Sequence, residues 1–276
     1  MPKVSILTSL YNTNPMHLRQ CIESILAQTF TDFEFLILND SPANTEIENI
    51  VKSYDDKRIK YFKNDQNIGI SASRNKLMHM ATGQYLAIFD HDDIAMPDRL
   101  AREVAYLDSH PDVGVVSGGL HCFGTSESIC MNPEFDIDIK IYLTECCSIA
   151  HTACMIRKSV LVDNNIEYEP EYSPAEDYRL WARLMRCTRF YNIQDVLVKY
   201  RWHENNTTNA RWPEMQRAHM AIQTQICNEF PAYRSVYENV YRTTYVKLFG
   251  IIPLLKKHGN KVWLFNVIPL LKFKAV

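Results

Sequence analysis

Three carboxylates lie within four residues of the sequence, at Asp90, Asp92 and Asp93, with His91 between the first two. Carboxylates this close repel one another, and each would lose hydration if the site around it closed. A hard divalent cation relieves that repulsion because Mg²⁺ and Mn²⁺ favour oxygen ligands. The alternative is a solvated acidic turn that caps the following helix. The position of the cluster directly after the apolar run 85–89 favours the cation site.

Polar residues also follow two other apolar runs, at residues 8–12 and 39–41. The first third of the chain alternates apolar runs with segments of helical spacing. This pattern predicts a mainly parallel sheet with helices on both faces. Ligands bind outside the carboxyl ends of the strands in such sheets. We therefore expect residues 8–12, 39–41 and 90–93 to share one site.

The same patterns predict the elements along the rest of the chain. Predicted strands lie at 4–10, 33–38, 59–62, 85–89, 113–116, 150–156 and 196–200. Predicted helices lie at 14–26, around 47–51, and at 71–80, 98–107, 158–164 and 175–186. The section from 117 to about 145 is less regular. Beyond Arg211 the chain is predicted to be helical, with breaks at Pro253 and Pro269.

A second pair of acids, Glu176 and Asp177, opens the predicted helix 175–186. Two acids in a first helical turn interact favourably with the helix macrodipole, which is a sufficient structural reason for one of them. A carboxylate held rigidly at a helix N-terminus and pointed at a cleft can instead serve as a general base. The residues alone leave both interpretations open.

Two histidines lie near the predicted strand ends. His203 follows the strand 196–200 and is either a solvated loop residue or a nitrogen ligand to a cation at Asp92. A nitrogen ligand would shift the metal preference from Mg²⁺ toward Mn²⁺. His151 lies inside the predicted strand 150–156, and we interpret it as a hydrogen-bonded core residue.

Composition limits the class of protein. With 30 basic and 32 acidic residues, the net charge of -2 shows no basic excess, so we expect no nucleic-acid partner. Hydrophobic residues at 46% and charged residues at 22% are typical of a globular protein. The 8 cysteines form no CxxC pair, which is typical of free thiols in a reducing compartment. The chain shows no secretory signal and no apolar run of roughly 18 residues, so we expect it to be cytoplasmic.

Taken together and in this order, these stretches resemble family 2 glycosyltransferases with the GT-A fold. The resemblance extends to about residue 208 and rests on the stretches 4–12, 24–30, 33–41, 67–69, 73–75, 83–93, 176–181 and 200–203. It implies an α/β fold with a mainly parallel central sheet flanked by helices. The implied domain is 1–208, with a nucleotide-binding half at 1–110 and an acceptor-binding half at 111–208. A helical extension, basic and apolar, follows at 209–276.

The resemblance implies where the donor nucleotide binds. Thr8 and Tyr11 would lie on the nucleobase, with the tyrosine ring stacked on uracil. Asp40 would accept a hydrogen bond from the uracil N–H. Arg74 would approach the base or the diphosphate, and Asp90 would contact the ribose.

The resemblance also implies which residues bind the cation and which residue is the catalytic base. Asp92, Asp90 and His203 would form the metal site, whereas His91 and Asp93 would belong to the donor-binding stretch. Asp177 would be the catalytic base. The sequence departs from the family pattern in the nucleotide half, with Asn39 where many members have aspartate and Leu10 where many have proline.

The family transfers a sugar from a nucleotide diphosphate-sugar with inversion at the anomeric carbon. The resemblance therefore implies a Mn²⁺- or Mg²⁺-dependent enzyme, with Mn²⁺ favoured. It would move a hexose or N-acetylhexosamine from a UDP-sugar to a hydroxyl of a saccharide or lipid-linked acceptor, as in bacterial surface polysaccharide (O-antigen or capsule) synthesis. Two alternatives are a metal-dependent phosphohydrolase built on the Asp-His-Asp-Asp cluster and a catalytically silent subunit that binds a nucleotide-sugar.

The C-terminal segment differs in charge from the rest of the chain. No acidic residue follows Glu238, whereas seven Lys or Arg residues do. The segment from 241 to 276 either packs on protein or contacts anionic lipid peripherally at the inner face of the cytoplasmic membrane, which would suit a lipid-linked acceptor.

Overall fold

The computed structural model describes residues 1–203, 206–248, 252–258, 261–264 and 268–272. The strands of its main sheet are β1 (Val4–Leu10), β2 (Phe33–Asn39), β3 (Ile59–Lys63), β4 (Tyr85–Ile88), β5 (Ile94–Ala95), β6 (Val113–Gly124), β7 (Ser128–Cys130), β8 (Met155–Arg157) and β9 (Arg189–Trp202). The helices around it are α1 (Pro15–Leu26), α2 (Thr45–Lys52), α3 (Ile70–Met80), α4 (Arg99–Ser109), α5 (Asp136–Tyr142), α6 (Lys158–Asp163) and α7 (Glu176–Leu184). The short helix α8 (Thr207–Ala210), the longer α9 (Trp212–Glu229) and α10 (Pro231–Val236) follow.

The main sheet has the strand order β3-β2-β1-β4-β8-β6-β9-β5, with β7 added beside β6. The strands β3, β2, β1 and β4 are all parallel, as the alternation of strands and helices predicts. In the other half β8 runs antiparallel to both β4 and β6, whereas β6 and β9 are parallel. The sheet is therefore mixed, and its two halves meet where β4 pairs with β8.

Burial explains why the first strands form as predicted. All seven residues of β2 are buried, as is typical of a parallel strand covered by helices on both faces. Helix α1 begins where the Asn14 side chain accepts hydrogen bonds from the backbone N–H groups of Met16 and His17, with Pro15 in its first turn. Its buried stripe is Leu18, Cys21, Ile22 and Ile25.

One charged residue is buried within β2. The Glu34 side chain accepts hydrogen bonds from the Ser5 hydroxyl at 2.6 Å and from the Thr82 N–H at 2.7 Å, and it forms an ion pair with Lys60. Burial opposes the charge, but the hydrogen bonds from Lys60, Ser5 and Thr82 lower the pKa of Glu34 to about 2. These contacts stabilise the carboxylate form in the folded protein.

We expect Glu34→Gln to lower the free energy of unfolding by about 2 kcal/mol at pH 7, because it removes the charge that these donors stabilise. The depressed pKa stabilises the folded state above the ordinary glutamate pKa. That contribution is lost as the pH falls from about 4.5 toward 2. Urea denaturation at pH 7 and at pH 3 checks this, with the exposed Glu171→Gln as control. An equal difference between wild type and Glu34→Gln at both pH values would contradict it.

The second half of the sheet differs from the prediction in the length of its strands. Strand β6 continues to Gly124, and β9 begins at Arg189 rather than at Val196. The apolar core of β9, Leu197 and Val198, was recognisable, but the exposed polar residues Gln194 and Asp195 separate it from the first part of the strand. The spacing of apolar residues in the sequence therefore predicted only the centre of this strand.

The prediction that the chain is helical beyond Arg211 is correct as far as a π-helical turn at Tyr237–Tyr241 and wrong after it. Four strands follow, β10 (Thr243–Leu248), β11 (Ile252–His258), β12 (Lys261–Leu264) and β13 (Ile268–Lys272), which pair as an antiparallel meander. The two prolines taken as helix breaks pair at positions where the strand register shifts, Pro253 opposite Lys247 and Pro269 opposite Trp263. Proline lacks a backbone donor, so within sheets it favours such irregular positions.

Among the described residues, no helix combines the length and apolarity needed to cross a membrane.

Candidate active site

The carboxyl ends of β1, β2 and β4 are tied together by hydrogen bonds. The Asp40 N–H donates to the Leu10 carbonyl at 2.8 Å. The Thr8 hydroxyl donates to the Phe89 carbonyl at 2.8 Å. The polar residues after these strands therefore share one edge of the sheet, as the sequence predicts.

The two residues predicted to contact the nucleobase have different environments. Thr8 is fully buried, and its hydroxyl is engaged in the bond to Phe89. Tyr11 is 55% exposed, and Asn12 next to it has a positive φ of 48° with its N–H donating to the Ser41 hydroxyl. Of this pair, only the Tyr11 ring is exposed, and Thr8 links two strands, so their contacts with a nucleobase stay predictions.

Asp40 is buried and holds the loop that precedes α3. Its carboxylate accepts hydrogen bonds from the Asn64 side chain at 2.7 Å and from the N–H groups of Ile68 and Gly69, each at 3.0 Å. Gly69 has a φ of +85°, a backbone conformation that side chains disfavour. The structure thus assigns Asp40 a role in shaping the loop 64–69, and its predicted bond to uracil stays a prediction.

Arg74 connects the two halves of the sheet. This guanidinium, only 7% exposed, donates to Asp90 Oδ1 at 3.0 Å and to Glu176 Oε1 at 2.8 Å. Burial opposes its charge, but the carboxylates of Asp90 and Glu176 raise the pKa of Arg74. Asp90 follows β4 and Glu176 opens α7, so one side chain fixes the cluster after β4 against the helix that carries Asp177.

Asp93 is fully buried and has a structural environment. Its carboxylate accepts from the Arg201 N–H and from the Thr152 hydroxyl, both at 2.8 Å. Burial, and next the charges of Asp92 and Asp90, raise the pKa of Asp93. Asp93 therefore anchors the end of β9 beneath the cluster and does not face a ligand.

Asp92 is paired with His203, as the sequence suggested. The His203 Nε2 atom lies 3.0 Å from Asp92 Oδ2, and the Arg201 guanidinium donates to the Asp92 carbonyl at 2.8 Å. Burial opposes the charge, but the electrostatic influence of His91 and the hydrogen bond with His203 lower the pKa of Asp92. A lowered pKa keeps the carboxylate ionised, which is the form that binds a cation.

Asp90 does not join the pair of Asp92 and His203, because its carboxylate forms an ion pair with Arg74. In the part of the chain that the structure describes, no three His, Cys, Asp or Glu side chains form a group that could hold a metal ion. One carboxylate oxygen and one imidazole nitrogen nevertheless form a donor pair suited to Mn²⁺. Divalent cations in nucleotide sites often take only one or two carboxylates and fill the remaining positions with phosphate oxygens and water. The residues present fit a cation of that kind.

Several residues that shape this site were not found from the sequence. His17 lies in α1, and its ring centroid is 6.1 Å from that of His203. Arg201 and Thr152 hold the acidic cluster through the bonds given above. Arg99, fully buried, donates to the carbonyls of Ile88 and Cys154, just before the residues that carry the site. A buried arginine in α4 gives no sequence signal that separates it from a surface residue.

Asp177 lies in the first turn of α7 and is partly exposed, next to the Arg74–Glu176 ion pair. Its Oδ1 atom accepts a hydrogen bond from the Tyr178 N–H at 2.7 Å. Burial, and next the charge of Glu176, raise the pKa of Asp177 to about 6. A carboxyl group with this pKa can both accept a proton near neutral pH and hold it, as a general base requires.

His151 is a core residue, as predicted, but it opens a 3₁₀ turn at His151–Ala153 and does not lie in a strand. Its Nε2 atom is 2.8 Å from the Tyr168 hydroxyl, and its ring packs near Trp181. Burial, and next the charge of Arg74, lower the pKa of His151 to about 3. The ring is therefore neutral at physiological pH and supports Tyr168 beneath Arg74.

Comparison with known proteins gives the family. The model of glycosyl transferase family 2 matches residues 5–163, more than half of the chain. An uncharacterized glycosyltransferase of Methanocaldococcus jannaschii, MJ1057, is 35% identical over 208 residues, which are 72% of this chain and 71% of that protein. The chain belongs to glycosyl transferase family 2.

One relative is named for amylovoran biosynthesis, and solved structures share the fold. The amylovoran biosynthesis glycosyltransferase AmsE of Erwinia amylovora is 27% identical over 202 residues, 71% of this chain and 75% of its own. S. aureus TarS 1-349 in complex with UDP-GlcNAc superposes with a TM-score of 0.68 at 18% identity, covering 86% of this chain and 73% of TarS. The mannosyltransferase PcManGT of Pyrobaculum calidifontis, in complex with GDP-Man and Mn²⁺, gives 0.60 at 14% identity over 86% of this chain and 75% of its own. The protein thus has the GT-A fold of a glycosyltransferase.

Proposed function

We propose that this glycosyltransferase moves a hexose or N-acetylhexosamine from a UDP-sugar to a hydroxyl of a saccharide or lipid-linked saccharide, with inversion at the anomeric carbon. The product would belong to a bacterial surface polysaccharide such as an O-antigen or capsule. Two structural neighbours support a nucleotide-sugar donor, TarS with UDP-GlcNAc and PcManGT with GDP-Man and Mn²⁺. AmsE supports a role in polysaccharide synthesis.

One observation carries the mechanism. Arg74 joins Asp90, beside the predicted cation site, to Glu176, which is adjacent to Asp177 in sequence. A single ion-pair network therefore connects the side that would hold the departing nucleotide with the side that holds a carboxyl group of pKa about 6. An inverting transfer needs both a site that stabilises the leaving nucleotide and a base that activates the acceptor. One base is enough because the sugar is transferred in a single displacement.

On the donor side, Asp92 and His203 would hold the cation, which when bound would stabilise negative charge on the leaving diphosphate. The exposed Tyr11 ring would stack on the nucleobase. Arg74 neutralises Asp90 and keeps it in place, so Asp90 can accept a hydrogen bond from the ribose without repelling the diphosphate. Arg201 and Asp93 hold the backbone of the cluster still.

On the acceptor side, the sugar hydroxyl is a weak nucleophile until its proton is removed. Asp177, partly desolvated and next to Glu176, would take that proton as the hydroxyl attacks the anomeric carbon. Transfer of the proton to Asp177 also relieves the repulsion between the neighbouring carboxylates.

A donor screen tests the proposal. Purified protein is incubated with UDP-, GDP- and dTDP-sugars and Mn²⁺, and the released nucleotide diphosphate is measured. We expect turnover with UDP-linked galactose, glucose or an N-acetylated relative, and we expect it to stop when EDTA removes the cation. Turnover with GDP-sugars alone would contradict the choice of nucleotide, and full activity in EDTA would contradict the choice of cation.

We expect Glu176→Gln to move the acid limb of the pH profile of kcat/KM below the wild-type value near 6. The charge of Glu176 is, after burial, the main cause of the raised pKa of Asp177, and Arg74 remains to favour the carboxylate. Initial rates between pH 4.5 and 8.5 measure the shift. The exposed Glu171→Gln should leave the profile unchanged. An acid limb that stays in place or moves upward would contradict this assignment.

The C-terminal region packs on the catalytic domain at least as far as Tyr241. Arg234 donates to the Thr144 carbonyl at 2.9 Å, and the Tyr241 hydroxyl donates to Asp138 at 2.6 Å. Of the segment from 241 to 276, these contacts include only its first residue, so packing of that segment on protein stays a prediction. Peripheral contact of the later residues with anionic lipid stays a prediction.

A further inference from the structure

Two cysteines face each other across the hairpin of β6 and β7. Cys122 pairs with Ser128 in the strand register and Cys130 pairs with Leu120, so the two cysteines are diagonal neighbours. Their sulfur atoms are 3.8 Å apart. Cys122 is 7% exposed, whereas Cys130 is exposed to solvent. None of the proposed steps of glycosyl transfer uses either thiol.

This arrangement suits a reversible disulfide. The two sulfur atoms must approach to about 2 Å for a bond to form, which requires side-chain rotation and a small adjustment of a two-stranded hairpin. The hairpin edge at β7 is free to adjust because β7 pairs only with β6 among the described strands. Burial raises the pKa of the Cys122 thiol, so the exposed Cys130 is expected to react first.

We propose that Cys122 and Cys130 form a reversible disulfide by exchange with a low-molecular-weight disulfide such as oxidised glutathione. The Cys130 thiolate attacks one glutathione sulfur, the glutathione S–S bond breaks, and one glutathione leaves as a thiol with the proton from Cys130. Cys122 then attacks the Cys130 sulfur and displaces the second glutathione, which takes the proton from Cys122. Two protein thiols are oxidised, and one glutathione disulfide is reduced to two thiols.

The hairpin is connected to the candidate active site. Phe123 follows Cys122, and the Arg201 guanidinium lies over its ring at 4.5 Å from the centroid. The same guanidinium donates to the Asp92 carbonyl. A bond that draws Cys122 toward β7 displaces the Phe123 ring from Arg201 and loosens the backbone at Asp92. We therefore expect the oxidised protein to transfer sugar less efficiently, an expectation that rests on the proposed function.

Peptide mapping tests the disulfide directly, because Glu127 lies between the two cysteines in the sequence. The full chain is incubated with oxidised glutathione, free thiols are alkylated, and the protein is digested with an endoproteinase that cleaves after glutamate. A disulfide keeps the peptides on either side of Glu127 linked until a reductant is added. We expect this linked species in wild type. Its absence after prolonged oxidation would overturn the proposal.

Two variants sharpen the test. Cys130→Ser changes an exposed residue and should abolish the linked species without unfolding the protein. Cys146→Ser removes another exposed cysteine and should leave the linked species intact. A linked species that survives in Cys130→Ser, or disappears in Cys146→Ser, would assign the bridge to other cysteines and overturn the proposal.

An activity assay tests whether the disulfide between Cys122 and Cys130 affects the candidate active site. We expect kcat/KM of wild type to fall at least threefold on oxidation and to recover with dithiothreitol, while Cys130→Ser stays unchanged under both conditions. Equal activity of the linked and reduced wild type would overturn this connection. If the reduced protein also shows no transfer, the proposed function fails and the peptide map still decides for or against the disulfide.

Discussion

Asp177→Asn should reduce kcat for sugar transfer by about 10³-fold while leaving donor binding nearly unchanged, because general base catalysis contributes a factor of this order. The amide has the shape of the carboxyl group, and its oxygen can still accept the hydrogen bond from the Tyr178 N–H. It cannot accept a proton from the acceptor hydroxyl. Steady-state rates with saturating donor, together with calorimetric titration of UDP and Mn²⁺, separate the chemical step from binding.

Stability provides the control for this variant. The pKa of Asp177 is raised to about 6, so its ionised form is disfavoured in the folded protein and costs stability as the pH rises through the range from about 4 to 6. Asp177→Asn removes that cost and should show a Tm at pH 7.5 equal to or above that of wild type. The exposed Asp163→Asn should change neither rate nor Tm. Wild-type transfer by Asp177→Asn would exclude it as the base.

The same pKa sets the pH dependence of the wild-type enzyme. Because the base must be ionised, kcat/KM should fall about tenfold for each pH unit below about 6 and level off above it. In Asp177→Asn the residual rate should lose this acid limb. A limb that persists in the variant would show that another group controls it.

Asp92→Asn should lower kcat/KM by about 10³-fold, because a cation that neutralises the leaving diphosphate is worth several kcal/mol in the transition state. The amide keeps the size of the side chain but lacks the charge, and it weakens the pair with His203. In contrast to Asp177→Asn, this change should also weaken the binding of UDP and remove its dependence on Mn²⁺. Calorimetric titration of UDP with and without Mn²⁺ measures this effect.

A matched control for this variant lies a few residues away. Asp98 is an exposed acid whose carboxylate pairs with Arg102, outside the cluster. Asp98→Asn removes the same charge and should leave the Mn²⁺ dependence intact. If Asp92→Asn retains the wild-type response of UDP binding to Mn²⁺, Asp92 is not a ligand of the cation.

The sequence predicted the first half of the fold well because three of its strands, β1, β2 and β4, are almost entirely buried. A mostly apolar strand such as β2, which ends at Asn39 before a turn, leaves little ambiguity about where the strand ends. The ordered motifs also identified the family, which the comparisons confirm. Strand β9 shows the opposite case, since the exposed polar residues Gln194 and Asp195 interrupt its apolar pattern.

The end of the chain was predicted wrongly for a related reason. Its apolar segments could belong to a helix or to strands, and proline interrupts either one. The choice depended on pairing between β11 and its neighbours, which no local pattern specifies. Length and apolarity alone do not distinguish these alternatives.

For the candidate site, the structure brings together one predicted pair of residues and shows other contacts that the sequence did not predict. The sequence placed Asp92 near His203 and marked Asp177 as a base, and the structure brings the first pair to 3.0 Å. The sequence did not show that Asp90 would form an ion pair with Arg74. It also did not show that the Asp40 carboxylate would accept hydrogen bonds from the loop before α3. Those contacts depend on buried polar groups finding partners in the folded chain.

The ion pairs of Arg74 have a consequence for protein engineering. The arginine and Asp90 belong to the N-terminal half, whereas Glu176 belongs to the C-terminal half, so the arginine contacts both carboxylates only when both halves come together. A chimera that joins the N-terminal half of one relative to the C-terminal half of another would inherit an unmatched buried charge unless the arginine and the glutamate are transplanted together. Recombination libraries of this family should therefore place their crossovers so that this pair has a common parent.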